Sequence, residues 1–278
     1  YRGGVELSAN LPFGRNVRLQ RLYRHGGSRL FVVPMDHAVS DGPIVPDGGP
    51  AALVAQLAGS GADAIVLHKG GLRFVEPRLL TGLALIVHLS ASTRHAPDPD
   101  AKYLVASVEE AVRLGADAVS VHVNLGSAGE AGQVADLARV AESCDRWGMP
   151  LLAMMYARGP RVENPRDPQV VAHAAAVAAD LGADLVKLPW VGGPGAMADV
   201  VRSCPLPVIV AGGPRLPDTA ALLSHVDEVL SVQVGGLAMG RNIFQSADAG
   251  RLARLVADRV HAEPAPALPP RRLTTAAQ

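Results

Sequence analysis

Gly182-Ala183-Asp184-Leu185-Val186-Lys187-Leu188-Pro189 reads as a helix end, a turn and a buried strand. Glycine commonly closes a helix in the left-handed conformation. The short acid turns the chain, and the unbroken apolar run that follows suits a parallel strand covered on both faces. The same Gly-Ala-Asp junction recurs at 61–63 and 115–117, each time after a helix-like stretch and before an apolar run. A repeated helix-to-strand junction predicts a cyclic architecture, although in a chain rich in alanine and glycine the tripeptide can also recur by chance.

Working outward, eight apolar runs are spaced along the chain: Leu30–Met35, Ala64–His68, Leu83–Leu89, Ala118–Val123, Leu151–Tyr156, Leu185–Leu188, Val208–Ala211 and Val229–Val234. Helix-like stretches at Pro50–Gly59, Ser107–Leu114, Glu130–Trp147, Pro168–Leu181 and Asp218–Ser224 fall between them. Strand then helix, eight times over, predicts an α/β fold with a single (β/α)8 TIM barrel. The barrel is expected over 30–262, after an N-terminal extension at 1–29 and before a disordered, Pro/Ala-rich tail at 263–278. The length also suits two ordinary domains, but no linker interrupts the pattern. Arg15–His25 is expected to form a helix that closes the barrel's bottom or packs on a partner subunit. The slot between Leu89 and Ser107 shows no clear helix.

Composition narrows the function classes. With 26 basic and 26 acidic residues the formal net charge is zero, which gives no general attraction to nucleic acid or anionic membrane. Aromatic residues at 4% argue against base-stacking surfaces. Cys144 and Cys204 lack metal-ligand spacing and suit a reducing compartment. No run approaches the roughly 18 apolar residues of a transmembrane helix, and the first residues lack a signal-peptide pattern. A cytoplasmic protein is expected.

Only three of the 26 basic residues are lysines, and one of them, Lys187, stands inside a strand run. An ammonium, unlike a guanidinium, can shed its proton when desolvated and then attack a carbonyl. In such barrels chemistry occurs where strands end and loops begin. There the chain offers Asp36 and His37 after the first strand, His68 and Lys69 after the second, and His88, Arg94 and His95 at the third. His122 and Asn124 lie on the fourth, and Tyr156 and Arg158 on the fifth. Tyr156 is placed to move protons beside the amine, and Asp36 to orient it. Lys69, at a strand edge, suits a phosphate or structural role better than an imine. Gly212 and Gly213 after the seventh strand, with Gly235, Gly236, Gly240 and Arg241 at the eighth, match the usual phosphate seat of these barrels. Each residue also has a bland reading, such as a capping acid, a satisfied structural histidine or a snorkelling lysine.

The motifs together resemble the DhnA-type class I aldolases, which include archaeal fructose-bisphosphate aldolases. The carrying stretches are PMDHAVSDGP from Pro34, VLHKGG from Val66, the long segment from Pro97 to HVNLGS, MMYARG from Met154, DLVK from Asp184, AGGPR from Ala211 and GGLAMGRNIFQ from Gly235. The long segment is similar to the branch containing 2-amino-3,7-dideoxy-D-threo-hept-6-ulosonate synthase and actinomycete relatives that join aspartate semialdehyde to a ketose phosphate. The resemblance implies that Lys187 forms the Schiff base, that Tyr156 is the general acid/base and Asp36 the catalytic carboxylate, and that Gly212, Gly213, Gly240 and Arg241 hold phosphate. It implies no metal or other cofactor, and a homo-oligomer, often a decamer. Arg158, Arg94 and Lys69 are the expected partners of an acceptor carboxylate. One departure stands out. Leu188-Pro189-Trp190 follows the lysine where the family has a Thr, which is expected to remove a hydroxyl from beside the amine and to change substrate choice. A transferase of the same family, a metal-dependent lyase using the clustered histidines, and a non-catalytic phosphosugar-binding protein are the rival readings.

Overall fold

A computed structural model describes residues 12–43 and 49–262. The expected tail at 263–278 and the first part of the expected extension lie outside the described residues. Eight strands pair in parallel around a closed barrel: β1 (Leu30–Pro34), β2 (Ala64–Leu67), β3 (Ala84–His88), β4 (Ala118–Leu125), β5 (Leu151–Ala157), β6 (Leu185–Leu188), β7 (Val208–Ala211) and β8 (Gly236–Ala238). The order around the barrel is β1-β8-β7-β6-β5-β4-β3-β2. Helices α1 (Phe13–Leu22), α2 (His37–Asp41), α3 (Gly49–Leu57), α4 (Val108–Arg113), α5 (Glu130–Trp147), α6 (Pro168–Asp180), α7 (Pro194–Ser203), α8 (Thr219–Leu230), α9 (Arg241–Phe244) and α10 (Ala249–Val260) complete it. The (β/α)8 expectation holds. No helix among the described residues is long and apolar enough to cross a membrane.

Side chains alternate along each strand. Val186 and Leu188 of β6 pack outward into the layer between strands and helices, while Leu185 turns inward with Leu152, Ile209 and Ile86. Three helices start where short acids take their free N–H groups. Asp167 accepts from Gln169 and Val170, Asp218 from Ala221 and Asp248 from Arg251.

The Gly-Ala-Asp junctions have a common geometry. Gly61, Gly115 and Gly182 all take positive φ, at 90°, 79° and 91°. Each acid then reaches back to the preceding strand. Asp63 accepts the Phe31 N–H at 2.6 Å, Asp117 the Leu85 N–H at 3.0 Å and Asp184 the Leu151 N–H at 2.8 Å. The other oxygen of each meets a basic side chain of the N-terminal segment: His25 at 2.7 Å, Arg21 at 3.3 Å and Arg15 at 3.4 Å respectively. Leu19, Leu22 and Tyr23 insert into the inward-facing core. The extension therefore closes the bottom of the barrel, one of its two expected roles.

Two elements differ from expectation. The apolar run Val229–Val234 is the end of α8 and its connection, and the strand is the short Gly236–Ala238 beyond it. A short apolar run cannot by itself separate a helix end from a strand. Gly235 and Gly236 thus lie at the floor. Gly236 pairs with Leu30, and a Cβ there would stand 2.1 Å from the Leu30 carbonyl oxygen. They belong to strand packing, not to the strand-end site. Between β3 and α4 the unclear slot holds a small antiparallel hairpin, Ser90–Ala91 with Tyr103–Leu104.

Candidate active site

Inward-facing positions change character from floor to mouth. Leu30, Ala64, Ala84 and Ala118 fill the bottom. One to three inward steps further along the chain come Asp36, His68, His88, His122, Tyr156 and Lys187, which line a cavity of about 310 Å³.

Lys187 is 8% exposed, and its amine has one polar contact, the Met154 sulfur at 4.0 Å. Among the described residues no carboxylate lies within ion-pairing distance of it. Met154 is its register partner across β5. Tyr156 stands one inward position nearer the mouth, its ring 5.0 Å from that of His122. The Arg158 guanidinium lies over the same ring at 4.7 Å, within cation–π range.

Asp36 is the acid of the site. Its Oδ2 lies 3.7 Å from His88 Nε2 and its Oδ1 3.6 Å from His37 Nδ1. Oδ1 is buried and accepts no hydrogen bond. Burial alone would raise its pKa, but His88, His37, Lys187 and His68 outweigh that and hold it well below the usual carboxylate range. Burial pushes His88 down to about 4 and His122 well below its ordinary value, and lowers His37 and His68 as well. At neutral pH the Asp36 carboxylate lies among neutral imidazoles. Two of these are tethered, His88 to the Ser120 hydroxyl at 2.8 Å and His122 to the Asn124 amide oxygen at 2.9 Å. These histidines do not converge as ligands. The one group of three potential ligand atoms found among the described residues is His25, Asp63 and His261, at the floor.

On the opposite side the loops after β7 and β8 meet. Asn242 donates to the Gly212 and Pro214 carbonyls at 3.3 and 3.0 Å and accepts the Leu216 N–H at 2.8 Å. Arg241 donates to the Gly213 carbonyl at 3.2 Å. Gly240 admits no side chain, since a Cβ would stand 2.6 Å from the Pro34 oxygen. The resulting rim of backbone and guanidinium can receive an anion.

Lys187, Tyr156, Asp36, His37, His122, Arg158, Gly212, Gly213, Gly240 and Arg241 are thus brought together. Lys69 is not. It opens a 3-10 turn and ion-pairs with Glu110 at 2.9 Å outside the cavity. The concern over Leu188 is also corrected. Strand alternation turns it outward into the helix-facing core, so a hydroxyl there would not adjoin the amine. Trp190 and Pro189 instead line a neighbouring pocket with Tyr156 and Arg158. Sequence reasoning missed Lys102, Ser92, Asp41 and Asp100 on the cavity wall, and Asn242 behind it. Asn242 carried a signal, following Gly240-Arg241 at the last strand end; Asp41 ends the short helix α2, and the others lie in loops without periodicity.

Comparison with known proteins follows the same lines. The model for the DeoC/LacD family aldolases matches residues 30–246. The chain is 57% identical over 255 residues to a Streptomyces griseus 2-amino-4,5-dihydroxy-6-oxo-7-(phosphonooxy)heptanoate synthase, covering 92% of this chain and 93% of that one. It is 39% identical to a 2-amino-3,7-dideoxy-D-threo-hept-6-ulosonate synthase of Archaeoglobus fulgidus over 89% and 91% of the two chains. Among solved structures, an archaeal fructose-1,6-bisphosphate aldolase, with its catalytic lysine covalently bound to the carbinolamine intermediate, superposes with a TM-score of 0.81 at 29% identity and covers 89% of this chain and 99% of that one.

Proposed function

The chain belongs to the DeoC/LacD family of aldolases, and on that premise we propose that it joins dihydroxyacetone phosphate to aspartate semialdehyde through an imine on Lys187. The observation that carries the reading is a buried amine without an ion pair, facing an ionised acid and a glycine-rich rim in one cavity. The substrates follow from the product named for the Streptomyces griseus relative. Its ketone is at carbon 6 and hydroxyls stand at carbons 4 and 5, so an aldol step makes the C4–C5 bond. Cutting that bond leaves dihydroxyacetone phosphate as carbons 5–7 and aspartate semialdehyde as carbons 1–4.

The Lys187 amine adds to the donor ketone, and loss of water gives an iminium. A proton leaves the hydroxyl-bearing carbon, and the electron pair moves toward nitrogen to form an enamine. Tyr156 and Asp36, whose Oδ1 accepts no hydrogen bond, line the same cavity and are the groups for this proton. The enamine carbon attacks the aldehyde, whose oxygen takes a proton, and water releases the product and restores the amine. Gly212, Gly213, Gly240 and Arg241 hold the donor phosphate. The A. fulgidus relative's product is named as deoxygenated at carbon 7, and the higher identity to the relative whose product carries a phosphate there supports the phosphorylated product over that transferase reading. Residues 30–262 are the catalytic barrel and 1–29 the extension, whose described part closes the barrel. Balanced charge and family resemblance support a cytoplasmic homo-oligomer. Incubation with both substrates should yield a phosphorylated seven-carbon amino keto acid, identified by mass spectrometry. Failure to consume aspartate semialdehyde while other aldehydes react would overturn the acceptor.

A further inference from the structure

We infer that Lys102 and Arg158 seat the carboxylate of the acceptor, with Asp41 and Asp100 facing its ammonium, so that the mouth between β3 and β5 reads an amino-acid head group. This rests on the aldolase reading above. Lys102 stands in the loop after β3 and donates to the Ser92 hydroxyl. Arg158 follows β5 and is held over the Tyr156 ring. Both line the cavity, and among the described residues neither has a carboxylate within ion-pairing distance. That sets them apart from Lys69, which is neutralised by Glu110. Burial lowers the Lys102 pKa, and the charge of Arg158 lowers it further. The same two cations depress His122 beside them, after its own burial. Two cations near enough for one to act on the other, neither of them ion-paired among the described residues, are relieved by a ligand anion.

Position and chemistry say which anion. In the barrel order β3 lies four places from β7, so the loop carrying Lys102 faces the glycine-rich phosphate rim across the mouth, with Lys187 at the cavity floor between. A donor anchored by phosphate on one side leaves the other side for the acceptor's charged end. This seat is built from side chains, without the paired glycines of the phosphate rim. Asp41 and Asp100 stand on the same wall and act on Lys102. They would repel a dianionic phosphate but complement an ammonium one carbon from a carboxylate.

The test compares Lys102→Met, Arg158→Met and Lys102→Arg with wild type, using dihydroxyacetone phosphate as donor and either aspartate semialdehyde or butanal as acceptor. The ratio of kcat/KM for the charged over the neutral aldehyde should fall by about 30-fold or more in each Met variant, the loss expected for a charge-assisted contact. Lys102→Arg should recover part of it. Equal losses on both aldehydes would overturn the inference while leaving the aldolase reading intact. So would a wild type that uses glyceraldehyde 3-phosphate in preference to aspartate semialdehyde. A wild type that condenses no aldehyde with this donor would instead sink the aldolase reading beneath it.

Discussion

At the scale of single residues, the chemistry depends on which side of a strand each side chain takes. Lys187 was legible in the sequence because lysine is rare here and an ammonium in a buried run needs a reason. Asp36, His88 and Tyr156 follow the same inward alternation. Lys102 was not legible. It sits in an aperiodic loop that only barrel closure carries to the mouth, and Lys69 looked equivalent until its partner Glu110 was seen. Two substitutions separate these roles. Tyr156→Phe should lower kcat by about 10²–10⁴-fold, the usual range for a proton-transfer group, and should still form the donor adduct on Lys187; loss of the adduct would make the phenol structural. Lys69→Ala should change kcat/KM for either substrate by less than about 3-fold, because its exposed ion pair is worth no more than about 1 kcal/mol. A large rise in KM would return Lys69 to the site.

At the scale of elements, the Gly-Ala-Asp repeat was legible as a helix-to-strand junction, but its acids do more than turn the chain. Each latches a neighbouring strand and a basic side chain of the N-terminal segment. That role requires residues some 30 to 170 positions apart, which no local pattern reveals. Asp184→Ala would strip the Leu151 N–H and leave Arg15, 8% exposed, without its most buried partner. A cost of about 2–4 kcal/mol is expected, lowering Tm by roughly 5–15 °C in a domain of this size. Asp117→Ala, whose partner Arg21 is mostly exposed, should cost less. Thermal melts that rank the two the other way would refute the latch. β8 was illegible for a different reason. Gly-Leu-Ala has little strand propensity, and its pairing with β1 and β7 is imposed by closure of the barrel.

At the scale of the whole molecule, the buried histidines set how stability varies with pH. His37, His68, His88 and His122 all bind protons more weakly folded than unfolded. Their contribution is intact above about pH 6.5, the unfolded value, and is lost as pH falls toward their folded values. With its pKa at about 4, His88 alone should cost roughly 2 kcal/mol at pH 5. Asp36, held low, keeps its contribution until far more acidic pH. His261 is raised and works the other way, losing its contribution as pH rises through its folded value. Four groups against one predict a fall in unfolding free energy from pH 7 to 5, measurable by urea titration. A flat profile would mean that these imidazoles titrate normally in the fold.

The central claim is that Lys187 forms the imine, and borohydride reduction in the presence of dihydroxyacetone phosphate, followed by peptide mass spectrometry, tests it most directly. The account predicts one reduced adduct, on the peptide carrying Lys187, absent in Lys187→Met. An adduct on Lys102 instead, or none at saturating donor, would contradict it.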